Sequence, residues 1–394
     1  MKNRGREIGI CLITAGLLAA CSESITNPDT PGSGLLIRDV VIRDTVVTAI
    51  SDTTFLHRIA ADPFLLSPLT RDLVGKDGSY KAYAAIRFSV VSPRDTITVL
   101  SATMILRLIT WQGDTTGLFS FNVHSINTGW REDTLRWNQV NSPGFFDPAL
   151  IRGEYSGRLS ADTEYIRVTL DTAMVREWFR TNTTANNGIL LVPKPNCTMI
   201  RGIGAFDVDA DTVQPSLQVI ARGPNAAKND TIMIRIGSDS YVADADPFPL
   251  NPERILTQAG IAYRSKLLFD VSQIPRGSII SSAQLLLEGI PGANRISKFT
   301  TTPQPIVNAL LSADSTNFES TFAAGSITGT GNSFAFDVRR QVQLWVNGHN
   351  YGLILRQPTT NELSTLDLFT FYSNNAPNPD LRPRIKLKYT VFKN

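Results

Sequence analysis

The sequence predicts an all-β protein built from two tandem jelly-roll β-sandwich domains. Residues 86–109 and 267–290 align without a gap, and each stretch reads as a strand, a proline-containing turn and a longer strand. Short runs of β-branched and aromatic residues alternate with polar residues along the chain, and turn residues separate them at regular spacing. Because no long helical pattern interrupts these runs, we expect two packed sheets in each copy.

The length and composition of the chain agree with this prediction. A chain of 394 residues suggests two domains rather than one. Charged residues make up 19% of the chain and the net charge is +3. Nucleic-acid binding requires a concentrated basic surface, so the sequence predicts no nucleic-acid partner.

The first residues have the three parts of an export signal: a basic segment, a short apolar run and small residues that lead to Cys21. The run Leu-Ala-Ala-Cys resembles the bacterial lipobox, which implies removal of residues 1–20 and lipidation of Cys21. The alternative is an ordinary signal peptide with a cysteine there by chance. Ser22 rather than aspartate follows, which favours the outer membrane. Residues 21–36 are rich in Ser, Thr, Pro and Gly and predict a flexible tether.

Cys197 is the only cysteine outside this leader region. No intrachain disulfide is therefore expected in the mature protein. We expect Cys197 to be a buried apolar thiol, because free cysteines are commonly buried.

The two copies divide the rest of the chain. Residues 37–221 are expected to form the first jelly-roll domain, residues 222–229 a polar linker, and residues 230–394 the second domain. Both copies open on an alternating strand that contains Asp-Thr and then Ser-Asp, which predicts that these two strands occupy equivalent places.

Each copy also contains a short helical turn after an apolar strand. Asp171 and Asp337 are expected to cap these turns by accepting backbone N–H bonds. Trp178 and Trp345 end the turns at equivalent places, which predicts a core position for both. Gly188 and Gly352 are expected to form tight turns into the next strand.

Several short motifs follow one another along the two copies. They are Phe269-Asp270, Ile274–Gly277, Ile280–Ala283, Trp130–Glu132, Thr134–Asn138, Phe336–Val338 with Trp345, Asn350–Leu353 and Pro383–Ile385. Their order resembles the DNRLRE-domain family, which is related to carbohydrate-binding module family 96. Copy one lacks Ile-Pro-x-Gly, copy two lacks the tryptophans of the Trp-x-Glu element, and neither has the intact hexapeptide that names the family.

This resemblance implies a jelly-roll sandwich on a secreted or surface protein. Some members of the family bind acidic polysaccharides such as alginate, so the resemblance also implies a polysaccharide ligand.

The chain lacks the common catalytic motifs, including G-x-S-x-G, H-E-x-x-H, the P-loop and the dinucleotide fingerprint. Its three histidines have no metal-ligand spacing. A carboxylate pair for glycoside cleavage is defined by space rather than by sequence, and nothing singles one out. The sequence therefore predicts no enzyme.

Exposed aromatic rings are the best indicator of a sugar-binding site, because a flat ring can stack on a pyranose face. Trp111 has no tryptophan counterpart in copy two, where Gly292 falls at its place, so it is the first candidate for glycan binding. The alternative for Trp111 is packing at a sheet edge. Trp130, Tyr80 and Tyr83 are the further candidates, and the alternative for Trp130, which belongs to the Trp-x-Glu motif, is a structural role.

Asp207, Asp209 and Asp211 have the alternate spacing of carboxylates found in Ca²⁺ sites. The alternative is the polar face of a strand, which alternates in the same way. A structural Ca²⁺ at these residues is therefore a hypothesis, and no other cofactor is expected.

Taken together, these patterns predict a monomeric lipoprotein anchored to the outer membrane or cell surface. Its lipid anchor is expected to be its only contact with the membrane, and its two sandwiches are expected to bind polysaccharide without cleaving it. The alternative is a structural or adhesion protein of the envelope that has protein partners and no sugar site.

Overall fold

The protein is nearly all β in its computed structural model and forms two antiparallel β-sandwiches with jelly-roll-like topology, as predicted. No helix in the described part of the chain is long and apolar enough to cross a membrane. The structure describes residues 40–56 and 71–392, apart from 90–91, 93, 115, 159–160, 182–185, 207–213, 245–250, 262, 298–303, 315–316 and 329–331.

The strands are β1 (Val40–Leu56), β2 (Arg71–Asp77), β3 (Tyr80–Phe88), β4 (Thr98–Gly113), β5 (Phe119–Ser125), β6 (Gly153–Gly157), β7 (Thr163–Thr169), β8 (Ile189–Pro193), β9 (Met199–Gly204), β10 (Ser216–Arg222), β11 (Asp230–Asp244), β12 (Arg254–Gln258), β13 (Tyr263–Phe269), β14 (Ile279–Leu287), β15 (Ile306–Leu310), β16 (Phe318–Ala324), β17 (Ser326–Thr328), β18 (Ser333–Asp337), β19 (Leu353–Arg356), β20 (Leu368–Tyr372) and β21 (Arg384–Phe392). The helices are α1 (Trp137–Val140), α2 (Thr172–Glu177), α3 (Arg339–Asn347) and α4 (Thr359–Ser364), with a 3₁₀ turn at Pro379–Leu381.

The first sandwich contains β2 to β11, in the order β11-β10-β4-β9-β2-β3-β8-β5-β6, with β7 beside β4. The second contains β1 and β12 to β21. Its pairings repeat those of the first: β21 lies beside β14 as β10 lies beside β4, and β13 beside β19 as β3 beside β8. The predicted internal repeat therefore extends to the hydrogen-bonded ladders.

The aligned stretches at residues 86–109 and 267–290 supply equivalent core residues. Phe88 is buried with its ring 6.1 Å from the ring of Trp178, and Phe269 is buried 6.3 Å from the ring of Trp345. Asp171 accepts a hydrogen bond from a backbone N–H of α2, as predicted. Asp337 likewise accepts one from the N–H of the first residue of α3.

A turn with the same hydrogen bonds occurs in both sandwiches. Asn186 donates to the carbonyl oxygen of Phe88 and accepts from the N–H of Gly188, which has a φ of 84°. Asn350 makes the same two bonds in the second sandwich, and Gly352 has a φ of 94°. Glycine adopts this backbone conformation readily, as the sequence predicted for both positions.

The first strands of the two copies depart from the expected domain boundaries. β1 bends at Ala49, so that its first half pairs with β21 and its second half with β13, all in the second sandwich. β11 bends in the same way but pairs with β10 and β3 of the first sandwich. Of the expected linker at residues 222–229, Arg222 is the last residue of β10, and residues 223–229 are the turn of the β10–β11 hairpin.

The chain order explains this exchange. β11 directly follows β10, and a short loop makes their pairing entropically inexpensive. Because β11 fills the place beside β10 and β3, the equivalent place beside β21 and β13 remains for β1.

The two sandwiches also touch each other. Leu73, Tyr80 and Ile200 of the first sandwich form one apolar cluster with Leu366, which follows α4. Ile261 packs against the same cluster.

Candidate functional site

The outward face of β7 presents an aromatic and a basic side chain. Ile166 and Val168 point into the core of the first sandwich, whereas Tyr165 and Arg167 alternate with them and are exposed. This is the expected consequence of the two-residue period of a strand.

The same outward face continues across the neighbouring strands. Arg235 of β11, Ser216 of β10, Ile105 of β4 and Arg167 of β7 lie opposite one another in one row. Arg107 and Tyr165 form the next such pair on β4 and β7. We call this surface the basic face; it is defined by Arg107, Tyr165, Arg167 and Arg235.

Tyr165 and Arg107 are arranged as a cation–π pair, with 5.9 Å between the guanidinium carbon and the ring centroid. The side chain of Tyr165 is 53% exposed, so much of its ring is open to solvent. An exposed ring can stack on a sugar. Guanidinium groups form paired hydrogen bonds with carboxylate or sulfate oxygens. The basic face therefore combines the two contacts that an acidic sugar requires.

Trp111, the first candidate from the sequence, lies at the end of β4 near the start of β7. Its indole N–H donates to Asp162 Oδ1 at 2.7 Å, and the side chain is half-buried. Because this donor is already bonded, Trp111 can offer a ligand the accessible part of its ring. It borders the basic face, since Asp162 immediately precedes β7.

Two of the other predicted glycan residues are buried and cannot offer a ring face. Trp130 is 5% exposed; its indole N–H donates to the carbonyl oxygen of Asn187, and the guanidinium of Arg87 lies over its ring. Tyr80 is 2% exposed and lies in the contact between the sandwiches, 5.3 Å from the guanidinium carbon of Arg295. Their positions correct the prediction, since both rings pack within the protein.

Tyr83 is half-buried against Trp137, with 4.7 Å between the ring centroids. Burial raises the pKa of the Tyr83 phenol. The equivalent place in the second sandwich has Arg264 over the ring of Phe318, at 5.7 Å. Both pairs cover the outward side of a central strand, which indicates a packing role for Tyr83.

The proposed Ca²⁺ ligands Asp207, Asp209 and Asp211 lie outside the described residues, as does Cys21. Within the described ranges, no group of three or more His, Cys, Asp or Glu side chains is placed to hold a metal ion.

The second sandwich presents a different surface at the equivalent strands. Lys386 and Lys388 of β21 lie beside Ser282 of β14 and Asp44 of β1, around a shallow depression of about 430 Å³. The amino group of Lys388 is 3.7 Å from a carboxylate oxygen of Asp44. This face has mixed charge, and none of the described residues that line the depression is aromatic.

Two other ionisable sites are buried and serve the fold. Arg264 and Glu362 are fully buried and form two hydrogen bonds, at 2.9 and 2.6 Å. His124 Nδ1 lies 3.1 Å from two backbone carbonyl oxygens, and burial lowers the pKa of its imidazole. Cys197 is buried, as predicted, and its thiol donates to the carbonyl oxygen of Met199.

No protein-family model and no curated protein matches this sequence. The class of protein that the fold defines is thus an all-β protein of two sandwiches, one of which has an exposed basic and aromatic face.

Tyr165, Arg107, Arg167 and Arg235 are not among the site residues that the sequence predicts. The alternation in Thr-Glu-Tyr-Ile-Arg-Val-Thr places Tyr165 and Arg167 on one side of a strand, and this signal was available in the sequence. The contribution of β11 was not, because it depends on the pairing of strands distant in the chain.

Proposed function

We propose that the protein is an exported lipoprotein, anchored through Cys21, whose first sandwich binds an anionic polysaccharide on the basic face without cleaving it. The observation that carries the proposal is the exposed ring of Tyr165 beside Arg107 and Arg167, with Arg235 three strands away on the same face.

The chemistry of such a ligand matches this surface. A uronic-acid polymer repeats a pyranose ring and a carboxylate along one chain. Tyr165 can stack on one ring while Arg107, opposite it on β4, and Arg167, two residues further along β7, bind carboxylates. A sheet face suits an extended polymer because its rows run across several strands.

The second sandwich is expected to contribute less. Its equivalent face has Lys386 and Lys388, but Asp44 neutralises part of their charge. The described residues that line the depression offer no ring for stacking. We therefore place the principal site on the first sandwich.

Affinity electrophoresis through gels that contain alginate or a neutral glucan tests the proposal. We expect retardation by alginate alone, decreasing with added salt because the arginines act through charge. Tyr165→Ala and Arg167→Ala should each weaken retardation about tenfold, which corresponds to about 1.4 kcal/mol.

Matched controls lie on the second sandwich. Phe322→Ala removes an aromatic ring that is also 53% exposed, and Arg276→Ala removes an exposed positive charge. Neither variant should change retardation. Equal losses in the controls would contradict the assignment of the site, and no retardation by any polysaccharide would favour the structural or adhesion alternative.

A further inference from the structure

An apolar patch lies at one end of the second sandwich, where the chain enters β1. Ile42 and Ile279 lie on either side of Thr390 in one row across β1, β21 and β14. Val40 and Phe392 are paired in the next row. Ile42 is 65% exposed and Ile279 is 50% exposed. We call Val40, Ile42, Ile279 and Phe392 the strand-end patch.

The fold itself does not require this patch. In the first sandwich, the ladder places Arg222 of β10 opposite Thr98 of β4, which corresponds to Thr390 opposite Ile279. The guanidinium of Arg222 donates a hydrogen bond to Asn229, which lies just before β11. Asn229 occupies the place that Ile42 has in the second sandwich. The same place is thus polar in one sandwich and apolar in the other. A group of exposed apolar side chains on only one copy points to an interaction surface.

The position of the patch indicates its partner. β1 and β21 are antiparallel, so Val40 and Phe392 lie at the same end of the sandwich. The chain that precedes Val40 leads back to Cys21 through residues that lie outside the described part of the chain. The flexible tether that the sequence predicts there would have a root-mean-square span of roughly 25 Å. A lipid on Cys21 would therefore hold this end of the second sandwich close to the bilayer, where even a weak surface contact forms readily.

Charges beside the patch agree with an anionic membrane surface. Lys388 and Lys386 follow on the same outward face of β21 as Phe392. Asp44 is the acidic residue among them. Basic side chains at the edge of an apolar patch are attracted to anionic headgroups while the apolar side chains enter the headgroup region.

We propose that the strand-end patch rests on the anionic surface of the membrane that holds the protein. This inference rests on the lipid anchor at Cys21 in the proposed function. It adds a second membrane contact, made by the folded domain itself, to the lipid.

The test uses the full lipidated chain in vesicles of phosphatidylethanolamine and phosphatidylglycerol. An environment-sensitive dye is attached at Ile279→Cys or, as a control on the first sandwich, at Leu150→Cys, which replaces another exposed apolar side chain. Cys197 is buried and should not react. We expect the dye at position 279 to shift to shorter emission wavelength on the vesicles. A quencher attached to lipid should quench it several-fold more than the dye at position 150.

Flotation of the same samples reports the anchor separately. If the protein floats but the dyes at 279 and 150 behave alike, the proposed membrane contact of the patch is wrong, whereas the proposed lipid anchor is retained. Protein that does not float would overturn both. A dye at 279 that is already shielded without vesicles would show that the protein itself covers the patch, and an equal shift on neutral phosphatidylcholine vesicles would overturn the role of headgroup charge.

Discussion

The exchange of first strands makes a reciprocal prediction about two equivalent aspartates. Asp52 of β1 accepts a hydrogen bond from the backbone N–H of Asn374 in the second sandwich. Asp239 of β11 accepts the corresponding bond from the N–H of Phe206 in the first sandwich. We expect Asp52→Ala to loosen the second sandwich, although residue 52 belongs to the first copy in sequence, and Asp239→Ala to loosen the first.

The magnitude follows from the loss of a hydrogen bond to a carboxylate, which leaves a backbone N–H without its acceptor. Such a loss destabilises by about 1.5–3 kcal/mol. Amide exchange that proceeds through opening of the affected sandwich should therefore accelerate by roughly 10- to 100-fold. Asp52→Asn retains an oxygen acceptor at the same place and should have a smaller effect.

Hydrogen exchange read by mass spectrometry on peptides distinguishes the two sandwiches. In Asp52→Ala, peptides from β13 and β21 should lose protection while those from β3 and β10 keep it; Asp239→Ala should show the reverse. Faster exchange in β3 and β10 of Asp52→Ala would refute the strand exchange.

Three further predictions concern single side chains. In urea unfolding, Gly352→Ala should lower the free energy of unfolding by about 2–4 kcal/mol and Gly277→Ala by only about 1–2 kcal/mol. Both glycines have positive φ, but only the Cβ added at position 352 would meet a carbonyl oxygen, at 2.4 Å. Equal losses in the two variants would show that this contact is not the cause. Glu362→Gln should destabilise by about 3–5 kcal/mol in the same assay, because it removes the negative charge opposite the buried guanidinium of Arg264; a near-neutral change would contradict a buried ion pair. The free energy of unfolding should fall as the pH decreases through and below the unfolded-state histidine pKa of about 6.5. The reason is that residue 124 binds a proton more readily in the unfolded chain than in the folded protein, where burial lowers the pKa of His124. His124→Phe should make the free energy of unfolding less dependent on pH between pH 7 and 5.5, and an unchanged dependence would assign it to other groups.

Much of the fold could be predicted because the repeat has no gap in its central stretch. Phe88 and Phe269 align at one offset, and the alternation around them places both in a core. The destination of β1 could not be predicted in the same way. Its alternation is compatible with either sandwich, since β10 and β21 present equivalent edges. Because the β10–β11 hairpin places β11 beside β10, β1 pairs with β21. Local sequence does not show this competition between β1 and β11 for the same place.

The candidate site could be predicted less well, because only an exposed aromatic ring can bind a sugar and the residue type does not show which rings are exposed. Trp130 and Tyr80 have the ring that sugar binding uses, but their surroundings bury them. Tyr165 lies in an ordinary strand pattern. It is a candidate for sugar binding because Arg107, which is more than fifty residues away in the chain, lies beside it on the neighbouring strand. Residue type therefore selected aromatic candidates without selecting the exposed ones.

The position of the turn at residues 223–229 changes how two binding faces could cooperate. A flexible linker there would let two sandwiches adjust independently to one polysaccharide chain, with an effective concentration set by linker length. Instead, this segment closes a hairpin within the first sandwich, and Leu73 and Ile200 pack against Leu366 across the contact between the sandwiches. The spacing between the faces is consequently constrained by packing. A polysaccharide can engage both faces only if its own path matches that spacing, so gains from a second site should depend on ligand length and stiffness more than on linker length.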